Sequence, residues 1–232
     1  QGINPLLDKI ITGWAVAEEG NIEDAKLIFD KIGNGTSLAQ FSQTQKASML
    51  AAFGQYESAL NTIEILEEDF NRLSIDARVM KVQLLLKLDR QEKAAEYFSK
   101  NFVDAISSDA DKLKLQIENH PNALSLGTNL SLESGIAYAF YAIGDILKDE
   151  ADPNTALLYV RLAQYLYQNS EKAILLAADL LEEMAQYDLA EAEYAKISSS
   201  SSYFLTFHPW CPLRPCPCLW RRETGTSTLS PE

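Results

Sequence analysis

Apolar residues recur three and four positions apart along most of the chain, and no stretch alternates with period two for long. The pattern therefore predicts an all-α protein. Within it a small residue returns at a fixed interval. Ala25, Ala59 and Ala94 stand 34 and 35 residues apart, and Ala156 and Ala190 are again 34 apart. Four positions after each alanine comes a large side chain: Phe29, Ile63, Phe98, Val160 and Tyr194. A small-then-bulky pair at helical spacing, returning at this period, marks an array of helical hairpins. Where the second helix of a hairpin crosses the first, only a small side chain lets the two backbones approach. A leucine there would overpack the crossing at a cost of about 1–3 kcal/mol.

Alignment on the alanines gives five units, over 6–39, 40–73, 75–108, 137–170 and 171–204. In the first, a helix over 4–19 stops at Gly20, a residue suited to the left-handed position after a helix. Asn21 is expected to cap the second helix, which buries Ala25, Ile28, Phe29 and Ile32. Gly54 and Asp89 take the place of Gly20 in the next two units. The turn of unit four holds Asp152-Pro153, an aspartate cap followed by proline in the first helical position, and Ser170 is expected to cap the helix after it. Units one to three thus fill 1–108, and units four and five fill 137–204. Between them, 109–136 reads as an irregular linker with one extra helix over 109–118, ended by His120-Pro121, and a loop over 122–129.

After Ile197 the character changes. Residues 198–232 hold all three cysteines, five of the eight prolines and two of the three tryptophans. Prolines at 209, 212, 215 and 217 exclude an α-helix, so 205–232 is expected to be a non-helical tail, disordered or produced by a frameshift. His208, Cys211, Cys216 and Cys218 could be taken as zinc ligands or redox thiols. Their spacing lacks the paired C-x2-C knuckles of common zinc modules, and rows of Pro, Cys, Arg and Trp are what GC-rich codons give when read out of frame. The frameshift reading is preferred, and no metal or cofactor is expected.

The repeat resembles that of tetratricopeptide proteins, whose unit carries W-x2-L-G-x2-Y…A-x3-F…P. Ala25/Phe29, Ala94/Phe98 and Ala190/Tyr194 match its second half, with Ile63 and Val160 as apolar substitutes. Phe140, Ile143, Gly144 and Leu147 fall on the first half in unit four, whereas unit one keeps only Gly13 and Val16, and no unit ends in the expected proline. The pairing of SGIAYAFYAIGDIL with ALLYVRLAQYLYQ also resembles tetratricopeptide proteins of alphaproteobacterial type. The resemblance covers about 170 residues and implies a right-handed solenoid of antiparallel helix hairpins whose first helices line an inner groove. The inward positions of such repeats fall on Trp14, Ser48, Gln83, Asp145 and Asp179, with Tyr141, Lys148 and Glu182 beside them.

Charge shapes the expectation about partners. The formal net charge is −13, and no stretch supplies the basic stripe that nucleic-acid binding needs. No apolar run approaches a bilayer span of about 20 residues, so no membrane insertion is expected. Only Lys148 is basic among the inward positions, so the groove suits a basic or amphipathic helical segment of a partner protein rather than an acidic peptide. No Walker loop, G-x-G-x-x-G, H-E-x-x-H or G-x-S-x-G occurs. A non-catalytic interaction scaffold is therefore expected, with the substrate-recruiting arm of a larger enzyme as the alternative. The chain opens on Gln1 without a basic-then-apolar leader, so it is expected to be a fragment or a trimmed or processed form. With no cysteine in 1–210, cytoplasm and periplasm both remain open.

Overall fold

Short apolar stripes broken by turn residues give helices of eight to nineteen residues. A computed structural model of the protein describes residues 5–32, 37–70, 73–102, 108–119 and 131–197. These residues are all-helical, with eleven helices and no strand among them. In order they are α1 (Pro5–Glu18), α2 (Ile22–Asp30), α3 (Ser37–Ala52), α4 (Tyr56–Asp69), α5 (Ile75–Lys87), α6 (Gln91–Asn101), α7 (Ser108–Asn119), α8 (Leu132–Glu150), α9 (Pro153–Leu166), α10 (Glu171–Glu183) and α11 (Tyr187–Tyr194). The chain forms two compact units, divided after Ala139, so α8 gives its first residues to one and the rest to the other.

In the first unit α1 packs on α2, α3 on α4 and α5 on α6, and the first helices α1, α3 and α5 also touch in succession. Ala25, Ala59 and Ala94 are fully buried at the crossings. So little room is left that a Cβ on Gly13 of α1 would come to 2.8 Å from the Phe29 ring. Val82 holds the place in α5 that Gly13 holds in α1. That valine is fully buried, and Phe98 is only half-buried, stacked on Phe102 with centroids 4.9 Å apart. Helix α7 lies against α5 and α6. Residues 132–136 open α8 and belong to the first compact unit.

In the second unit α9 and α11 pack on α10. One buried cluster joins Ala156, Val160 and Ala163 to Ala173, Ala177 and Leu180, and a second joins Ile174, Ala178 and Leu181 to Ala190 and Tyr194. Gly144 of α8 repeats the role of Gly13, for its Cβ would meet Val160 at 2.7 Å.

The helix pairs close with one turn chemistry. At Gly20 the N–H bonds back to the Ala17 carbonyl and the next N–H to the Val16 carbonyl, both near 3 Å. The same two bonds recur at Gly54, Asp89 and Ala185, each of which has positive φ. Ser74 and Ser170 cap α5 and α10, their hydroxyls accepting from the N–H groups of Ala77 and Ala173. Asn21 and Asp152 stand at cap positions, but neither side chain caps: the Asn21 backbone has left the extended range, and Asp152 accepts from the Asn154 side chain instead. Pro153 opens α9.

Ala185 is the strained member of the turn set. It sits at φ 57°, where an L side chain costs about 1–2 kcal/mol that glycine avoids, less glycine's larger loss of chain entropy. Ala185→Gly is expected to stabilise the second unit by up to about 1 kcal/mol, read as a higher urea midpoint. Asp89→Gly should gain less, because a short polar side chain tolerates this region. A lower midpoint for Ala185→Gly would refute the strain.

Candidate functional site

The first helices of the first unit carry residues that the resemblance implies face a partner, and the structure puts another part of the chain against one of them, Trp14. Trp14 is fully buried and donates its indole N–H to Gln45 Oε1 at 3.0 Å. Gly135 of α8 lies flat on that indole: a Cβ there would come to 2.2 Å from the six-membered ring, beside the indole nitrogen. One turn later Tyr138 donates its hydroxyl to Asp76 Oδ2 at 2.6 Å and faces Phe41 with centroids 6.4 Å apart. Three first helices, α1, α3 and α5, thus hold the start of α8 through Trp14, Phe41 and Asp76.

Trp14 is therefore a covered position, not one open to a partner, because glycine lets a helix backbone close over the ring. Ser48 is nearly as buried and turns its hydroxyl back to the Thr44 carbonyl at 2.9 Å. Gln83 is half-buried. Phe41, Gln45, Asp76 and Gly135 are not singled out as a site by the pattern. A signal existed for one of them, since a glycine inside a helical run costs about 1 kcal/mol against alanine and calls for a close approach.

In the second unit Asp145, Lys148 and Asp179 come together. Lys148 Nζ lies 2.8 Å from Asp145 Oδ1. That hydrogen bond holds the ammonium above its ordinary pKa against partial burial, and the charges of Asp145, Asp149 and Asp179 add to it. Three carboxylates around one ammonium leave the surface acidic. Asp179 is exposed and also accepts from the Tyr194 hydroxyl at 3.0 Å. Tyr141 packs against the cluster around Val160, and Glu182 is half-buried.

Elsewhere the charged groups serve the fold. Arg78 donates to the Asn101 carbonyl at 2.6 Å at the end of α6, and Lys81 pairs with Glu67 over the Tyr97 ring. Burial, then the Glu67 charge, pushes the Tyr97 hydroxyl well above its ordinary pKa, so it stays protonated and packs. A hollow of about 860 Å³ between α2, α3 and α4 has its lysines already engaged: Lys46 lies 2.7 Å from Asp30 and Lys26 2.9 Å from Glu23. Among the described residues no group of three His, Cys, Asp or Glu is placed to hold a metal, and no helix is long and apolar enough to cross a membrane. The candidate ligands His208, Cys211, Cys216 and Cys218 lie outside the described residues, as does the proline-rich tail. No protein-family model matches the chain, and comparison with curated proteins gives no match.

Proposed function

We propose that the protein is a non-catalytic interaction scaffold, a tetratricopeptide-type array that binds helical segments of partner proteins along its first-helix faces. The observation that carries this reading is the seat of α8 on α1, α3 and α5. Phe41 and Asp76 are the second residues of units two and three in the alanine alignment, 35 positions apart, and both meet Tyr138. Equivalent residues of successive hairpins holding one helix is how a repeat array recognises a helical ligand. The shared turns at Gly20, Gly54, Asp89 and Ala185 support treating the hairpins as repeats of one unit.

On this reading the corresponding faces of the second unit lie on α8 and α10, where Asp145, Asp149 and Asp179 gather. The partner for that face is a basic amphipathic helix. The test is fluorescence anisotropy with a labelled amphipathic peptide bearing lysines along one face and leucines along the other. The wild-type chain should bind it, and Asp145→Lys with Asp179→Lys should weaken binding at least about tenfold, with helicity by circular dichroism unchanged. Equal binding by the double variant, or equal binding of a glutamate version of the peptide, would sink this assignment.

A further inference from the structure

The start of α8 covers a wall that holds a buried polar side chain without all of its partners. Beside the apolar Ala47, Met49 and Leu50, helix α3 buries Ser42 on its α2 side, Thr44, Gln45 and Ser48. Three of the four are satisfied locally: Ser42 donates to the Phe29 carbonyl, Thr44 to the Gln40 carbonyl and Ser48 to the Thr44 carbonyl. Gln45 is not. The Trp14 N–H fixes its amide with the oxygen toward the indole, and its Nε2, fully buried, has no partner. A buried donor left unmade is costly, so the wall carries one unmade hydrogen bond in this arrangement.

The cover, in contrast, is built to be a helix without the wall. Ser131 and Ser134 cap α8 reciprocally, the Ser131 N–H donating to Ser134 Oγ at 2.9 Å and the Ser134 N–H to Ser131 Oγ at 3.2 Å. Its named contacts with the wall are Gly135 on Trp14 and Tyr138 on Phe41 and Asp76, with Ala137 and Ala139 buried beside them.

We infer that the start of α8 is an intramolecular ligand of the first-unit wall, standing in for a partner helix that carries glycine, to sit on Trp14, and tyrosine three residues later, to reach Asp76. The inference rests on the scaffold reading and adds to it the kind of partner and a built-in competitor. A small residue is obligatory because any Cβ collides with the indole. Tyrosine is preferred over phenylalanine because its hydroxyl donates to Asp76. A segment tethered in the same chain acts at high effective concentration, so a free partner binds only as well as it outcompetes that segment.

Gly135→Ala separates docking from helix formation, since alanine is the better helix former yet clashes with Trp14. The probe is a labelled peptide of residues 131–143, added to the full-length chain. The Gly135→Ala chain is expected to bind it at least about tenfold more tightly than wild type, because its own segment no longer competes. The same peptide carrying Gly135→Ala should bind neither chain, and one carrying Tyr138→Phe should bind several-fold more weakly. With Trp210 and Trp220 replaced by Phe, the emission of Trp14 should move to the red in the Gly135→Ala chain and return toward the blue when the peptide is added.

Equal affinity of the two chains, or no binding by either, overturns the proposal. If the Gly135→Ala chain loses helicity, the Tyr138→Phe chain replaces it, and failure of that chain to bind the peptide more tightly than wild type overturns the proposal too. A wild-type chain that is dimeric and binds the peptide only as it dissociates would place a second copy's α8 on the wall and overturn the intramolecular assignment. None of these results touches the acidic face of the second unit, so they fail or succeed apart from the lysine-peptide test.

Discussion

Trp14→Ala is expected to destabilise the first unit by about 3–5 kcal/mol, the range for truncating a fully buried aromatic residue. The indole is enclosed by its own helix pair, by α3 through Gln45, and by the α8 backbone at Gly135. Its loss opens a cavity that rigid helices cannot close, and it leaves the Gln45 oxygen without its donor, so both ends of that amide would then be unmade. Trp14→Phe keeps most of the volume and should cost less, the difference reporting the missing N–H. The measurement is urea unfolding at neutral pH followed by far-UV circular dichroism. A tryptophan on an open binding wall would change stability by no more than about 0.5 kcal/mol, so the two placements of this residue give results that do not overlap.

That contrast shows which features of the chain are legible in its sequence. The alanine period, the turns at Gly20, Gly54 and Asp89, the Ser170 cap and the proline opening α9 are all local. Each follows from contacts within a few dozen residues, and each leaves a residue type that few other positions tolerate. Ala185 escapes such a reading because alanine does not advertise a left-handed turn, and the structure accepts the strain to keep the hairpin closed. Asn21 and Asp152 mislead for a related reason: a residue able to cap does so only if its backbone angles and neighbours aim the side chain at the free N–H groups. The cover over Trp14 is a different matter. Nothing within a hairpin announces that a glycine about 120 positions later will lie on its tryptophan. The resemblance to tetratricopeptide repeats implies that Trp14 lies on the inward face of its helix, but whether that face is open or occupied depends on a long-range contact. The acidic gathering of Asp145, Asp149 and Asp179 is visible in the sequence as charge. The Lys148 that partly neutralises it draws its partners from two helices.

Glu193 carries the second large effect, and its sign with pH can be worked out. The side chain is buried on α11. It accepts from Arg161 and from Gln164, at 2.9 Å, both on α9, and from Lys196 at 2.7 Å. Burial alone would raise its pKa. The hydrogen bonds from Lys196, Arg161 and Gln164, with the Arg161 charge, outweigh burial and hold the carboxyl below its ordinary 4.5. A carboxyl whose folded pKa is depressed stabilises the fold fully above its unfolded value, and the contribution is lost as pH falls through the lower folded value. Glu193→Gln is therefore expected to cost about 2–3 kcal/mol at pH 7, the scale of hydrogen bonds to a charged acceptor. A fully enclosed pair would cost more, but Arg161 and Lys196 are 38% and 50% exposed and can return to water. As pH falls from 4.5 toward the lower folded value, the unfolded wild type takes up the proton first and the contribution declines, so the gap between the two proteins should narrow there. Urea midpoints at pH 7 and pH 3.5 decide it. A deficit that is equal at both pH values would mean that the carboxylate charge is not what ties α9 to α11, and a negligible deficit at pH 7 would mean that the two helices are held by the Ala163–Ala173 and Ala178–Ala190 packing alone.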